Sequence, residues 1–563
     1  MNTSIWVMTP PSAESEALAR ALDVPPAIAR VLVNRKIATE EEARAFLYGG
    51  LDSLHDPYRM KGMERAVGRI REAVDQGEKI LVFGDYDVDG VLSTVMLLKA
   101  LRTVGARAEY FIPERLTDGY GLKAGHIDVP AERDAKLVIS VDCGIKAVEF
   151  TARAAEKGID VIVTDHHRPG DTLPEAVAVL NPVLEDSGYP DPGLAGVGVA
   201  FKLIQALLEG AGKGAQLPHY MKLVSIGTVA DVAVLRGENR LFVKHGLKGL
   251  ANVSNTGLRS LIEACGLARR KISETDLGFR IGPRINAAGR MGMADLAVRL
   301  FFAESSAESE ALVRELEELN ALRQRTEERI FGEARRMVED KGLDGRYKCL
   351  VLGSESWHRG VIGIVASKIK EHFHRPVLLF AYEDGKAHGS GRSVSDVPLI
   401  ELLDECRHLF LSYGGHKYAV GCTLARDRMA EFKEALNPLA EARIAEESLK
   451  RKIRVDGPLE FSEVDGRFLD AFSLLLPFGV GNPKPVFLAE GVEVISEPQL
   501  LQRKHLKFLG RQNGRVLEVL GWDKADWRHV LRRGSRVSLV FSLMLSEYMG
   551  EQRISVSAED LRI

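Results

Sequence analysis

Residues 79–90 read KILVFGDYDVDG. KILVF is a short apolar run of the kind buried in a parallel sheet. Asp85, Asp87 and Asp89 follow at alternate positions. A buried strand that ends in clustered negative charge needs something to neutralise it. The same rhythm returns in ARAEYFI (106–112), AKLVISV (135–141) and GIDVIVT (158–164). Helical stretches separate these runs, VLSTVMLLKALRTVG after the first and IKAVEFTARAAEKG after the third. Strands alternating with helices predict a parallel sheet covered on both faces, an α/β fold.

Acids and histidines recur at the strand ends. Asp142 follows LVISV, and Asp165, His166 and His167 follow VIVT. Open parallel sheets bind ligands at that edge. One aspartate there reads equally well as a helix cap, whereas three strands doing the same read as a site. Carboxylate oxygens with imidazole nitrogens suit Mn²⁺, Mg²⁺ or a related divalent ion. Alternate residues of an extended segment point the same way, so Asp87 and Asp89 are expected to face one site and Val88 the core. Five or more ligands are too many for one open ion. They fit two ions roughly 3.5–4 Å apart, the arrangement that serves phosphate-ester hydrolysis.

The chain has 563 residues, enough for about three or four domains. Its net charge of −3 argues against a generally basic nucleic-acid coat but leaves room for a local basic channel. No apolar run is long enough for a membrane helix, and residues 1–20 lack the pattern of a secretory signal. Five scattered cysteines form no metal or disulfide spacing, which reads as a reducing, cytoplasmic setting with no membrane association. Residues 1 to about 75 read as short helices, and helices dominate from 195 to 300. The stretch 305–342 has no proline and leucines at helical spacing, as a connecting rod or two packed helices would. YKCLVLG and PVLLFAYED flank a helix in a second α/β segment. Several short strands from about 450 onward suggest a small barrel, with QNG (512–514) a hairpin signal. Phe508 and Trp522 are expected in that barrel's core.

DYDVDG, VDCG and TDHH together closely resemble the DHH phosphoesterase superfamily, and GTVADV (227–232) resembles its fourth motif. The resemblance implies Asp87, Asp89, Asp142, His166 and Asp231 as metal ligands, Asp142 as their bridge, and Asp85 as a support or further ligand. It implies Asp165 behind the ligands, orienting a histidine, and His167 on the substrate phosphate. Relatives with small substrates carry a histidine where this chain has Phe83, so one ion is less fully held by protein. GSGRS (389–393) and YGGHKYAVG (413–421) look like the DHH-associated domain.

RLTDGYGL (115–122), INAAGRMG (285–292), SWHRGVIGIVASK (356–368) and LPFGVGNPKPVF (476–487) resemble the bacterial RecJ exonucleases, which degrade single-stranded DNA from the 5′ end. This resemblance runs from about residue 50 to the C-terminus. Behind an N-terminal helical segment (1–50), it implies an α/β multidomain chain: a parallel-sheet DHH domain (51–304), a connecting helix (305–342), a smaller α/β DHH-associated domain (343–450) and an OB-fold β-barrel (451–563). Arg115, Arg290, Ser390 and Arg392 would hold the 5′ phosphate or adjacent backbone. Gly415 and His416 would meet the scissile phosphate, with Arg392 and His416 stabilising the transition state beside Asp142 and His167. Tyr120 would stack or wedge at the entrance. Trp357 and His358 read equally as a domain-interface contact. The implied cofactors are two Mn²⁺ (or Mg²⁺) ions. The implied partners are single-stranded DNA, a single-strand binding protein and a RecQ-type helicase, in DNA repair and recombination. The rival readings are a DHH-type oligoribonuclease or cyclic-dinucleotide phosphodiesterase and, in another class, an inactive DHH replication scaffold.

Overall fold

The computed structural model describes residues 4–115, 117–119, 121–548 and 551–563. It divides into two compact units, one of residues 55–233 and 245–451, the other of residues 1–54, 234–244 and 452–563.

In the larger unit five parallel strands lie in the order Arg107–Phe111, Lys79–Gly84, Ala135–Val141, Asp160–Thr164, Ala178–Leu180. The strand earliest in the chain has the next on one side and the remainder on the other. The order therefore reverses between Lys79–Gly84 and Ala135–Val141, where open α/β sheets bind ligands. From Ile80 onward the first strand is buried. The following helix, Val88–Thr103, is buried around most of its circumference, because it lies between the sheet and the helices Gly196–Gly210 and Met221–Ala230.

Ser306–Glu339 is one unbroken helix of 34 residues, about 50 Å long. It carries a buried polar trio. Arg323 donates to Glu327 (2.5 Å) and to Asn320 (2.8 Å), and Lys368 also pairs with Glu327. Beyond it a mixed sheet runs in the order Phe410–His416, Ala419–Ala425, Lys386–Arg392, Val377–Glu383, Leu350–Ser354. GSGRS and YGGHKYAVG thus lie largely on strands, and the second spans a hairpin. Gly415 has φ +143°, and a Cβ there would overlap the Ala419 carbonyl oxygen. Trp357 is buried and donates to Glu333 of the long helix at 2.8 Å.

In the smaller unit, antiparallel pairing of Glu493–Val494 with Arg511–Gly510 closes a five-stranded barrel. QNG forms the predicted hairpin, with Gln512 opposite Arg515 and positive φ at Asn513 and Gly514. Phe508 is in the barrel core, but Trp522 is not. It is 47% exposed, beside the His505 ring at 4.9 Å, because it follows the last residue of its strand. Residues 4–50 hold three helices and, unlike the expectation of helices alone, a strand, Ile5–Met8. That strand pairs in parallel with Lys452–Val455. Leu18, Ile28, Leu32 and Leu47 join one apolar core with Phe461, Phe472 and Phe508. Arg240 is buried over the Phe46 ring and donates to the carbonyls of Phe46, Leu474, Leu475, Leu476 and Pro477.

Candidate active site

The acids after the first strand are not an extended run. The strand ends at Gly84, and Asp87 caps the next helix, its Oδ1 accepting from the N–H groups of Asp89 (2.8 Å) and Gly90 (3.1 Å). Asp89 lies inside the first helical turn. Its carboxylate accepts from the Gly196 N–H (2.8 Å) and Val197 N–H (2.6 Å), at the start of another helix. The expected alternation of Asp87 and Asp89 along a strand is therefore replaced by capping, which leaves the charge of Asp87 acting on Asp89.

Asp142 follows the third strand in chain order with φ 59°, a left-handed conformation held beside Gly196. A Cβ on Gly196 would come within 2.5 Å of Asp142 Oδ1. His166 Nε2 lies 3.1 Å from that oxygen and 3.9 Å from Asp89 Oδ2, while its Nδ1 is 3.9 Å from Asp231 Oδ2. Asp165 accepts from the backbone of Ile145 (2.8 Å), His166 (2.7 Å) and His167 (3.0 Å), and its Oδ1 is 2.8 Å from His167 Nδ1. The histidine ring it orients is thus that of His167. The Asn181 side chain donates to the His167 carbonyl at 2.8 Å.

Donor atoms fall into three groups, each with its members within 4.8 Å: Asp142, His166 and His167; Asp89, His166 and Asp231; Asp85, Asp87 and Asp142. Asp142 and His166 each belong to two of them. Burial, then the charge of Asp87, pushes Asp89 up to about 7. Burial and neighbouring acids likewise raise Asp85, Asp142 and Asp231 well above the usual carboxylate range. Burial, then His167, pushes His166 down to about 4, leaving a neutral imidazole suited to a metal. Asp85 Oδ1 and His166 Nε2 are buried without a hydrogen-bond partner among the described residues. Oxygen and nitrogen ligand atoms gathered this closely at a buried place fit divalent cations. Phe83 is no donor and packs against Phe111 and His126 at 5.4 and 5.3 Å.

A second cluster in the same unit carries positive charge. Burial first, then Arg115 and Arg323, lowers Arg290 to about 10, and burial followed by Arg115 lowers Arg392. Arg290 donates to the Gly360 carbonyl at 3.1 Å, and Arg392 to the Gly391 carbonyl at 2.8 Å and Ser390 Oγ at 3.4 Å. A Cβ on Gly363, in the first turn of the Ile362–Phe373 helix, would lie 3.0 Å from Ser390 Oγ and 3.4 Å from an Arg392 terminal nitrogen. Mutually repelling guanidiniums, a hydroxyl and a helix N-terminus are groups that suit an anion. His416 is exposed at the end of its strand, and no hydrogen bond or ion pair joins it to the acids among the described residues. Tyr120 lies outside the described residues.

Reading of the sequence alone missed Gly196, Val197, Ile145 and Asn181, because three of them act through the backbone and Asn181 through a neighbour's carbonyl. The glycine-rich helix start LAGVGVA (194–200) was the available signal.

A sheet that gathers these donors at its switch point, followed by an α/β domain carrying basic residues, is the arrangement that the resemblance to DHH phosphoesterases implies. The model of the DHH family N-terminal domain matches residues 79–228, that of the DHHA1 domain residues 346–442, and that of the RecJ OB domain residues 455–560. The single-stranded-DNA-specific exonuclease RecJ of Bacillus subtilis (strain 168) is 36% identical over 99% of this chain and 70% of its own length. Its Escherichia coli (strain K12) counterpart is 33% identical over 96% of each. The crystal structure of RecJ in complex with Mn²⁺ from Thermus thermophilus matches with a TM-score of 0.84 at 35% identity, covering 99% of this chain and 79% of that one. The chain belongs to the RecJ family.

Proposed function

We propose that this protein is a metal-dependent exonuclease that degrades single-stranded DNA from a 5′-phosphorylated end to mononucleotides, in repair and recombination. The observation that carries the reading is the joint presence, in one unit, of a cation-binding donor cluster and a guanidinium-lined anion site. The name shared by the relatives supplies the substrate. Their crystal structures with Mn²⁺ and with Mg²⁺ supply the cofactor class.

Asp85, Asp87, Asp89, Asp142, His166 and Asp231 would hold two ions, with Asp142 common to both. Bound there, the ions lower the pKa of water and neutralise charge on the phosphate. The chain's own residues do the rest. Asp165 fixes the His167 ring with Nδ1 toward the carboxylate, and His167 meets the substrate phosphate. Arg115, Arg290, Ser390 and Arg392 hold the terminal phosphate by charge-assisted hydrogen bonds, which places the first internucleotide bond at the donor cluster. His416, presented by its glycine hairpin, meets the strand from the associated domain. The barrel binds single-stranded DNA through backbone charge and base stacking. Trp522, exposed beside His505, offers an aromatic surface for that contact.

End-labelled oligonucleotides test this. Single strands with a 5′ phosphate should be shortened from that end in Mn²⁺, duplexes should resist, and EDTA should stop the reaction. Equal rates for 5′-phosphate and 5′-hydroxyl ends would remove the phosphate site from the reading. Efficient cleavage of dinucleotides alone would favour the oligoribonuclease class. Failure to cleave any substrate would leave the scaffold, although that class is expected to have lost metal donors that are all present here.

A further inference from the structure

Tyr86 lies between two of the acids in sequence and has no part in the roles above. Its ring is almost fully buried. The Arg115 guanidinium carbon sits 5.2 Å from the ring centroid, and no carboxylate forms an ion pair with Arg115 among the described residues. On its backbone side, Tyr86 meets Gly289. A Cβ there would overlap the Tyr86 carbonyl oxygen and lie 3.6 Å from the Tyr86 Cβ. Gly289 immediately precedes Arg290, at the end of the Gly282–Arg290 helix. One residue of the acid-bearing loop therefore touches Arg115 directly and seats the helix end that bears Arg290.

We propose that Tyr86 is a positioning residue for 5′-phosphate recognition. Its ring holds Arg115, and its backbone seats the Gly289–Arg290 turn, so that the anion site is built at a set distance from the metal donors. An aromatic face suits this task better than an acid. A carboxylate would occupy the guanidinium's N–H donors and cancel its charge. A ring attracts the cation through its quadrupole and leaves the N–H edge free for a phosphate. The inference rests on the 5′-phosphate reading given above.

The test compares binding of 5′-phosphorylated and 5′-hydroxyl single-stranded oligonucleotides to the full chain by fluorescence anisotropy, in EDTA so that nothing is cleaved. Wild type should favour the phosphorylated strand, and Tyr86→Phe should keep that ratio. Tyr86→Leu should lower it about tenfold, the size expected for a partly desolvated cation–π contact. Tyr86→Met, which keeps bulk but no ring face, gives the same readout should the leucine variant misfold. In an Arg115→Met background, Tyr86→Leu should have little further effect on the ratio. The inference is overturned if the leucine and methionine variants keep the wild-type ratio, or if the loss is as large without Arg115. A wild type that does not distinguish the two ends instead overturns the phosphate reading itself, and the role of Tyr86 with it.

Discussion

Asp142 is a member of two donor groups, and its left-handed backbone is one that asparagine also tolerates. Asp142→Asn should lower turnover in saturating Mn²⁺ by at least about a hundredfold, since even residues behind metal ligands cost ten- to a hundredfold. The metal-free variant should melt no lower than wild type, because one buried like charge is gone. Wild-type turnover in the variant would end the assignment. Gly196→Ala should reproduce the loss from outside the ligand set, because its methyl group occupies the place of the Asp142 carboxylate. Isothermal titration with Mn²⁺ should show weakened binding. The raised carboxylates also set a pH dependence with a definite sign. Their folded pKa values, about 7 for Asp89, exceed the unfolded value near 4, so the metal-free fold holds protons that the unfolded chain has released. Stability without metal should be greatest below about pH 4 for this contribution and fall as pH rises through 7. Saturating Mn²⁺ should remove the fall, and melting curves from pH 5 to 8 with and without the ion check this.

At the scale of elements, four of the five strands in the parallel sheet were legible because their apolar runs are unmistakable, and the ends of three of them announced the acids; the short Ala178–Leu180 strand was not. The path of the chain just beyond was less so. DYDVDG alternates as a strand does, yet Asp87 is drawn into capping Val88–Thr103, and capping depends on where that helix packs. GSGRS and YGGHKYAVG lie largely on strands although glycine weakens strand propensity, because close strand approach demands it at Gly389, Gly391 and Gly415. The long helix was readable from its leucines. Its buried trio was not, since Arg323 and Glu327 at i and i+4 look like an ordinary solvent pair. Glu327→Ala leaves Arg323 buried and should destabilise the larger unit by about 3–5 kcal/mol in denaturant titrations. A loss below about 1 kcal/mol would mean that the trio is solvated.

For the whole molecule, the domain order was visible in the sequence, but the company kept by residues 1–54 was not. Nothing in IWVM (5–8) says that its partner strand is KIRV (452–455), because pairing across such a span leaves no local pattern. Nor does ENRLF (238–242) announce that Arg240 will bind carbonyls from two distant stretches. A fragment of residues 452–563 alone should therefore be insoluble or only partly folded, with the Leu18, Ile28, Leu32 and Leu47 side of its core bare, and dye binding with amide dispersion in NMR spectra would show it. A well-dispersed spectrum would refute this. The parallel pairing of Ile5–Met8 with Lys452–Val455 also has a price in time. On a ribosome adding about 5–20 residues each second, the first strand emerges roughly 20–90 s before its mate is made. Until that mate exists, Ile5–Met8 is a waiting guest, open to chaperones and proteases.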